Sequence, residues 1–441
     1  MNASGYPAWS PATASALAFL ERTAADQLAF ARELVATPSP NPPGDERAVA
    51  DLLCKRLGEL GVDNVTTVCA QPSRPNLLVR IPAREEGRTL ILSGHIDTKP
   101  PGDLSKWRTD PWDPLIADGE LHGLGSGDMK GAVAAMVYAA AALSRSDGWT
   151  GELQLVLTAD EEGGSTLGSK WLADEGYLAA DAAIIGEPCG VMREWENIGV
   201  VSRGSALVDI EVSGTQMHSS VSDRFNPVNA TFEMAGLIRK MHREFKGHLT
   251  FTPHRLGNAG PTVNVGVMAE AGVFYGVYPG NARFSSDIRL VPGMTEQTVT
   301  ADLRRFLEEA MAENPRLSAE LNIVGISQAT EIPFDHPVVV GLQHAAAYVL
   351  GESLEPAVFP GATDALSFQG IAGIPTVAAF GPGYVPRAHA PNERMASSGV
   401  AQAAKVYALA ALDYLSQPTN ATPSDRSVEL KDEDPGRQAV H

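Results

Sequence analysis

Cysteine is scarce in this sequence: Cys54, Cys69 and Cys189 are the only three in 441 residues. An odd, sparse set is not a disulfide framework, and it points to a reducing compartment, with the cytoplasm as the expected location. Basic residues are outnumbered, 34 Lys and Arg against 53 Asp and Glu, for a formal net charge of −19. Such a surface repels the phosphates of nucleic acid and of anionic membranes, so neither is an expected partner. A local cationic pocket for an acidic ligand is still allowed. Long hydrophobic runs are missing too: the longest apolar-rich stretch, 132–143, is too short to span a bilayer. The first twenty residues lack a basic region and carry Pro7 and Pro11, a poor pattern for a signal peptide.

What is present suffices for a large core. The chain is 44% apolar, and its length exceeds what one core usually serves, so two domains are expected. Residues 1–15 read as an irregular arm. Residues 16–36 and 45–60 have helical periodicity on either side of the turn-rich segment 38–44. Residues 76–81 (NLLVRI) and 89–92 (TLIL) read as strands, and the Ala-rich stretch 131–143 as a helix small enough to bury against a sheet. Residues 153–157 (LQLVL) are nearly all apolar, the pattern of a strand covered on both faces, and 182–185 is a shorter one. Strands alternating with helices predict an α/β fold with a mostly parallel sheet.

The texture changes near Gly199. A strand at 206–212, a helix at 227–245, strands at 262–268 and 282–290, a helix at 296–313 and a strand at 317–324 succeed one another. That β-α-β-β-α-β order predicts an inserted, ferredoxin-like α+β domain, a small antiparallel sheet with two helices on one face. The α/β pattern resumes with 338–350, 374–379 and 400–415. The expected division is a discontinuous α/β domain, 1–198 plus 328–416, an inserted domain, 199–327, and a polar disordered tail, 417–441.

Acids and histidines gather just after the predicted strands of the α/β part, where open sheets form their sites. His95 follows one strand, Glu161 and Glu162 a second, and Glu187 a third. Asp128 ends the glycine-rich loop 123–128, and His389 lies in the loop after 374–379. Imidazole nitrogen and carboxylate oxygen are the usual ligands of catalytic zinc. Two ions need a shared ligand, and Asp128 is the candidate bridge. In the Glu161-Glu162 pair, one carboxylate can bind metal while its neighbour stays free to move a proton. Asp97, two residues after His95, shares its face on a strand and can orient it.

Five segments carry a resemblance. Ser93-Gly94-His95-Ile96-Asp97-Thr98, Gly125-Ser126-Gly127-Asp128-Met129-Lys130-Gly131, Asp160-Glu161-Glu162-Gly163, Gly186-Glu187-Pro188 and His389-Ala390-Pro391-Asn392-Glu393 lie in order across about 300 residues. Together they resemble metallopeptidase family M20, which includes acetylornithine deacetylase, succinyl-diaminopimelate desuccinylase, aminoacylase and glutamate carboxypeptidase. The resemblance implies a zinc-peptidase-like catalytic domain that binds two divalent ions, zinc first, with cobalt or manganese as alternatives. One ion would take His95, Asp128 and Glu187, and the other Asp128, Glu162 and His389. Glu161 would be the general base and Asp97 the support of His95. Glu187, rather than an aspartate, places the chain nearer the deacetylase and desuccinylase branch. Leu124 and Lys99 depart from the family's usual residues without removing a ligand.

The inserted domain resembles the family's lid and dimerisation domain, which implies a homodimer. Its Gly214-Thr215-Gln216-Met217-His218-Ser219-Ser220 segment would send His218 to the partner's site to hold an oxyanion. Asn264 and Arg289 stand where the family binds a substrate carboxylate, and the Gly361-Ala362-Thr363-Asp364 loop would add Thr363. The activity implied is metal-dependent hydrolysis of an amide bond in a small N-acyl amino acid or a short peptide with a free carboxylate. Two alternatives stand beside it: the same site acting on a carbamate or an activated aromatic amine, and a binding protein that has lost catalysis. Each residue also has an ordinary reading: a turn cap for Asp97 and Thr363, a surface loop for His218, a strand edge for Asn264, an ion pair with Asp287 for Arg289. A nucleotide-binding reading of the glycine loop fails, since Asp128 takes the third glycine position of GxGxxG.

Overall fold

The computed structural model of the protein describes residues 10–256 and 260–418. It divides into two compact units. Of the described residues, one takes in 10–200, 332–357 and 363–418, and the other 201–256, 260–331 and 358–362. The breaks fall at 200/201 and 331/332 rather than at 198/199 and 327/328. Val201 and Ser202 pair with Glu331 and Thr330, which draws both crossings into the second unit. The short excursion 358–362 has no signature in the sequence; the Gly361 carbonyl accepts the Arg203 N–H at 3.0 Å. Most of the tail expected over 417–441, from 419 onward, lies outside the described residues.

The first unit opens with helices α1 (Pro11–Arg22), α2 (Ala24–Val35) and α3 (Arg47–Glu59). The expected irregular arm over 1–15 therefore ends sooner: its described part is helical from residue 11. Pro11 starts α1 instead of breaking it, since proline fits the first helical turn and the Ser10 hydroxyl caps Thr13 N at 3.2 Å. Strands β1 (Val65–Val68), β2 (Asn76–Pro82) and β3 (Glu85–His95) come next, then α4 (Gly131–Ser144), β4 (Thr150–Thr158), α5 (Ser169–Asp174) and β5 (Ala182–Ile185).

The second unit is built of β6 (Gly204–Ser213), α6 (Ala230–His248), β7 (Thr262–Ala271), β8 (Asn281–Leu290), α7 (Glu296–Glu313) and β9 (Ser318–Ser327). The first unit then resumes with α8 (Pro337–Leu350), α9 (Ala365–Gly370), β10 (Thr376–Val377) and α10 (Ser398–Leu415).

The main sheet has the order β1-β2-β4-β3-β5-β10. The four strands from β4 to β10 run parallel, while β2 and β1 add an antiparallel edge. Its middle strands are apolar on both sides because both faces are covered. Ile91, Val156, Ala183 and Ile185 join Leu172 of α5 and Phe368 of α9 in one cluster. Helix α4 packs on β3 and β4 and meets α1, α2 and α10. Residues Gly131 to Leu143 are all buried, which explains why alanine fills it: small side chains let helix backbones approach.

Strand register sets the level at which side chains can converge. His95 sits opposite Thr158, and Ser93 opposite Ile185, so three parallel strands end at one level of the sheet. The second unit is an antiparallel sheet of order β7-β8-β6-β9, with a core that unites Val208, Ile210, Phe284 and Ile288 with Leu237 and Phe245 of α6 and Leu303 and Phe306 of α7. Among the described residues no helix is long and apolar enough to cross a membrane.

Candidate metal centre

The carboxyl ends of β3, β4 and β5 bring three of the five expected ligands together, His95, Glu162 and Glu187, and the loops before α4 and after β10 add Asp128 and His389. Asp128 stands in the middle. Its Oδ1 lies 3.0 Å from His95 Nε2, and its Oδ2 lies 3.1 Å from His389 Nε2. Glu187 Oε1 is 3.6 Å from His95 Nε2, and Glu162 Oε1 is 3.0 Å from His389 Nε2. Asp128 thus offers one oxygen to each of two imidazoles, each flanked by its own glutamate. Among the described residues, two donor sets converge within 4.8 Å: His95, Glu161 and Glu187, and His95, Asp128 and Glu162. Glu161, expected from the sequence to stand outside the ligands, enters the first of these.

The electrostatics describe an acidic cluster short of positive charge. Burial opposes charge on His95, but hydrogen bonds to Asp128 and Asp97 and the nearby Glu187 raise its pKa well above the usual imidazole value. His389 is likewise disfavoured by burial, yet Asp128 and Glu162 raise it to about 10. Between them, the two imidazoles outweigh the burial of Asp128 and hold its carboxyl well below the usual range. Glu161 and Glu187 go the other way. Burial raises Glu161, assisted by Glu187 and Glu162 against the pull of His95; burial and then Asp128 raise Glu187. Carboxylates this close in a dry site demand cations. An imidazole and carboxylate donor set fits divalent zinc, cobalt or manganese, and the divided oxygens of Asp128 fit a bridge between two of them.

Asp97 plays more parts than expected. His95 Nδ1 meets the Asp97 main-chain oxygen at 3.1 Å and the carboxylate only at 3.6 Å. The carboxylate instead accepts Glu161 N at 3.2 Å, Glu162 N at 3.1 Å and Asn41 Nδ2 at 2.9 Å. It fixes the backbone that carries the proposed base and a ligand, while the main chain orients the imidazole. Behind it, Asn41 Nδ2 also reaches Asp160 Oδ1 at 3.0 Å. Arg74 joins Asp160 at 3.0 Å to Glu46 at 2.7 Å. Gly163 is forced by this crowding: a Cβ there would lie 2.4 Å from Asp160 Oδ1 and 2.6 Å from Asn41 Nδ2. On the other side, Glu393 Oε1 accepts Gly127 N at 3.0 Å and Asp128 N at 3.1 Å, tying the His389 loop to the Asp128 loop.

Sequence reasoning missed Asn41 and Arg74, and quoted Asp160 and Glu393 in motifs without assigning them a role. Glu393 closes a recognised motif and Asn41 lies in a Pro-rich turn, but nothing local marks Arg74. The remaining expected site residues are Thr363 in the first unit and His218, Asn264 and Arg289 in the second. Thr363 is buried and its hydroxyl accepts Ala365 N at 3.2 Å, the turn-capping alternative. Its neighbour Asp364 accepts hydrogen bonds from Thr158, Ser165 and Ser169 at 2.9, 2.7 and 2.5 Å, bracing the Glu161 loop. His218, Asn264 and Arg289 belong to the second unit. His218 is exposed, and its Nδ1 accepts Ser220 N at 3.2 Å, which leaves the proton on Nε2 in the neutral ring. Asn264 lies opposite Asp287 on the neighbouring strand, and Arg289 pairs with Asp287 at 2.9 Å.

The pattern that defines peptidase family M20/M25/M40 matches residues 91–413, which span every one of the six metal-cluster residues. The chain belongs to this family. As an M20 family hydrolase it has relatives among enzymes named succinyl-diaminopimelate desuccinylase. One from Cereibacter sphaeroides is 34% identical over 313 residues, 68% of this chain and 76% of the relative. One from Methylobacterium nodulans is 33% identical over 293 residues, 64% of this chain and 71% of the relative.

Solved structures share the fold at lower identity. A di-peptidase of Saccharomyces cerevisiae superposes with a TM-score of 0.74 at 16% identity, covering 93% of this chain and all of that one. An M20 family metallo-carboxypeptidase of Sulfolobus solfataricus gives 0.71 at 22%, covering 88% and 99%. A dinuclear metal binding peptidase of the M20 family from Bacillus subtilis gives 0.65 at 16%, covering 90% and 99%.

Proposed function

We propose that this hydrolase cleaves an amide C–N bond in a small N-acyl amino acid, or a short peptide, that carries a free carboxylate. The observation that carries the reading is Asp128, whose two oxygens face two imidazoles at 3.0 and 3.1 Å. We assign one cation to His95, Asp128 and Glu187 and the other to Asp128, Glu162 and His389, with zinc the first choice. When bound, such a pair would acidify a shared water and polarise the substrate carbonyl.

The chain's own groups do the rest. Glu161 takes a proton from the attacking water and returns it to the departing amine. Its place within reach of His95 and Glu187 supports this, and so does burial, which raises its pKa and makes it a stronger proton acceptor than an ordinary carboxylate. Asp97 keeps Glu161, Glu162 and His95 in place. His218, with its proton on Nε2, suits oxyanion stabilisation in a partner subunit. Arg289 suits a substrate carboxylate by its planar fork, and we assign Asn264 and Thr363 to the same role on the family resemblance. A homodimer is favoured by β7, an edge strand, by the exposed Val267 and Met268 on it, and by the exposed Phe274 and Tyr275 just after it. A reducing cytoplasm agrees with the three unpaired cysteines.

The test is a panel of N-acetyl and N-succinyl amino acids and dipeptides, given to chelator-treated protein with Zn, Co or Mn restored. Release of a carboxylic acid and a free amine from at least one member is expected, and the relatives' name puts N-succinyl amino acids first. Silence across the panel, with metal bound, would overturn the substrate class. Glu161→Gln should keep its metal content and lose about 10²–10⁴-fold in kcat. Full turnover in that variant would remove Glu161 from the role.

A further inference from the structure

Lys99 lies four residues past His95 and stands outside the donor set, yet its ammonium is committed to it. Nζ donates to the Glu162 main-chain oxygen at 2.5 Å and pairs with Glu162 Oε2 at 3.1 Å. Glu162 Oε1 meanwhile faces His389 Nε2 at 3.0 Å. The two oxygens of this glutamate are divided, one turned to the imidazole with which it would share a cation, the other held by a cation of the chain itself. The opposite half of the centre has no such partner. Among the described residues Glu187 is ion-paired with His95 alone, and the buried Lys130 spends its Nζ on the Thr37 carbonyl at 2.7 Å.

We propose that Lys99 sets the two cation positions apart in affinity, weakening the one formed by Asp128, Glu162 and His389 and leaving that of His95, Asp128 and Glu187 the tighter. The inference rests on the two-cation assignment above. Lys99 acts through Glu162 in three ways, and is a positioning residue rather than a ligand. Its charge repels a divalent ion held by the same carboxylate. Its hold on Oε2 prevents Glu162 from binding bidentately. Its two hydrogen bonds draw electron density from the donor. The tighter position stays filled, while occupancy of the weaker one follows the supply of free metal.

The test counts metal and needs no turnover. The full chain, stripped by chelator, is titrated with zinc, and bound ions are measured after equilibrium dialysis against a competing chelator. Wild type should fill in two separated steps. Lys99→Met should tighten the weaker step by about tenfold or more and leave the tighter one in place. Lys99→Arg, which keeps the charge, should behave as wild type. Lys99→Gln, which keeps a donor but no charge, should behave as Lys99→Met. The Lys99 side chain is 37% exposed, so these replacements open no core cavity. His389→Ala should abolish the weaker step alone. Unchanged constants in both Lys99→Met and Lys99→Gln, or loss of the tighter step in His389→Ala, would overturn the proposal. Failure of the metal assignment looks different: His95→Ala and His389→Ala would then bind as much zinc as wild type, and the proposal would fall with it.

Discussion

At the scale of single residues, the centre is a problem of charge. His389 has its pKa raised to about 10 by Asp128 and Glu162, after burial has opposed it, and His95 is raised by the same kind of partner. At about 10, His389 is an imidazolium at pH 7 in metal-free protein and must lose its charging proton to ligate, and His95 is shifted in the same direction. Metal binding should release protons, and apparent affinity should climb with pH by about tenfold per unit for each proton released. Calorimetric titrations of zinc into stripped protein, in buffers of different ionisation enthalpy, read that number directly. A heat independent of buffer would show that the histidines are already neutral. The positions beyond the donors matter for the same reason. Asp97, Glu393 and Asp364 each spend buried carboxylate oxygens on loop backbone or hydroxyls, which fixes the loops that carry the ligands.

At the scale of elements, the site depends on strands ending together. Leu155 of β4 is fully buried, paired with Leu92 of β3 on one side and Val79 of β2 on the other. Leu155→Ala should cost about 2–5 kcal/mol, measured as a shift in the urea midpoint at constant slope. Helix α7 shows a smaller dependence. The Thr295 hydroxyl accepts Thr298 N at 3.2 Å, and the Thr298 hydroxyl accepts Thr295 N at 3.0 Å in return. Thr295→Ala should cost about 0.5–2 kcal/mol by the same measurement and leave metal content untouched, because it lies in the second unit. A loss of metal in that variant would contradict the separation of the two units.

At the scale of the whole molecule, a buried ion network links pH to folding. Burial and the neighbouring Asp97 raise Glu46 to about 7, against the pull of Arg74. A carboxyl raised above its unfolded value of 4.5 contributes stability at low pH and loses it as pH climbs through 7. The loss between those values is on the order of 3 kcal/mol. Glu46→Gln should remove this slope, so the difference in thermal midpoint between variant and wild type should move in the variant's favour from pH 5 to pH 7.5. A constant difference would show that Glu46 is not the group that links pH to folding in this window. Association belongs to this scale as well. For the homodimer proposed above, Phe274→Asp with Tyr275→Asp, at positions 76% and 93% exposed, should give the mass of one chain in light scattering where wild type gives two, and a mass of one chain in wild type would overturn the dimer.

What the sequence determined by itself was chemistry and periodicity. Apolar runs at 153–157 and 182–185 marked buried strands, and acids and histidines after them marked the centre, because strand period, turn chemistry and ligand type are local properties. The order of elements from 204 to 327 was legible for the same reason. Only the tertiary structure decided which atoms meet. It placed Asp128 between two imidazoles drawn from loops more than 290 residues apart in the chain, turned the Asp97 carboxylate toward the Glu161 and Glu162 backbone, and set Arg74 and Asn41 behind it. It also gave Lys99 to Glu162, where the sequence showed only an unusual lysine beside a motif. Such contacts are settled by the register of parallel strands and by the need to pair every buried charge, and neither is written in any short stretch of residues.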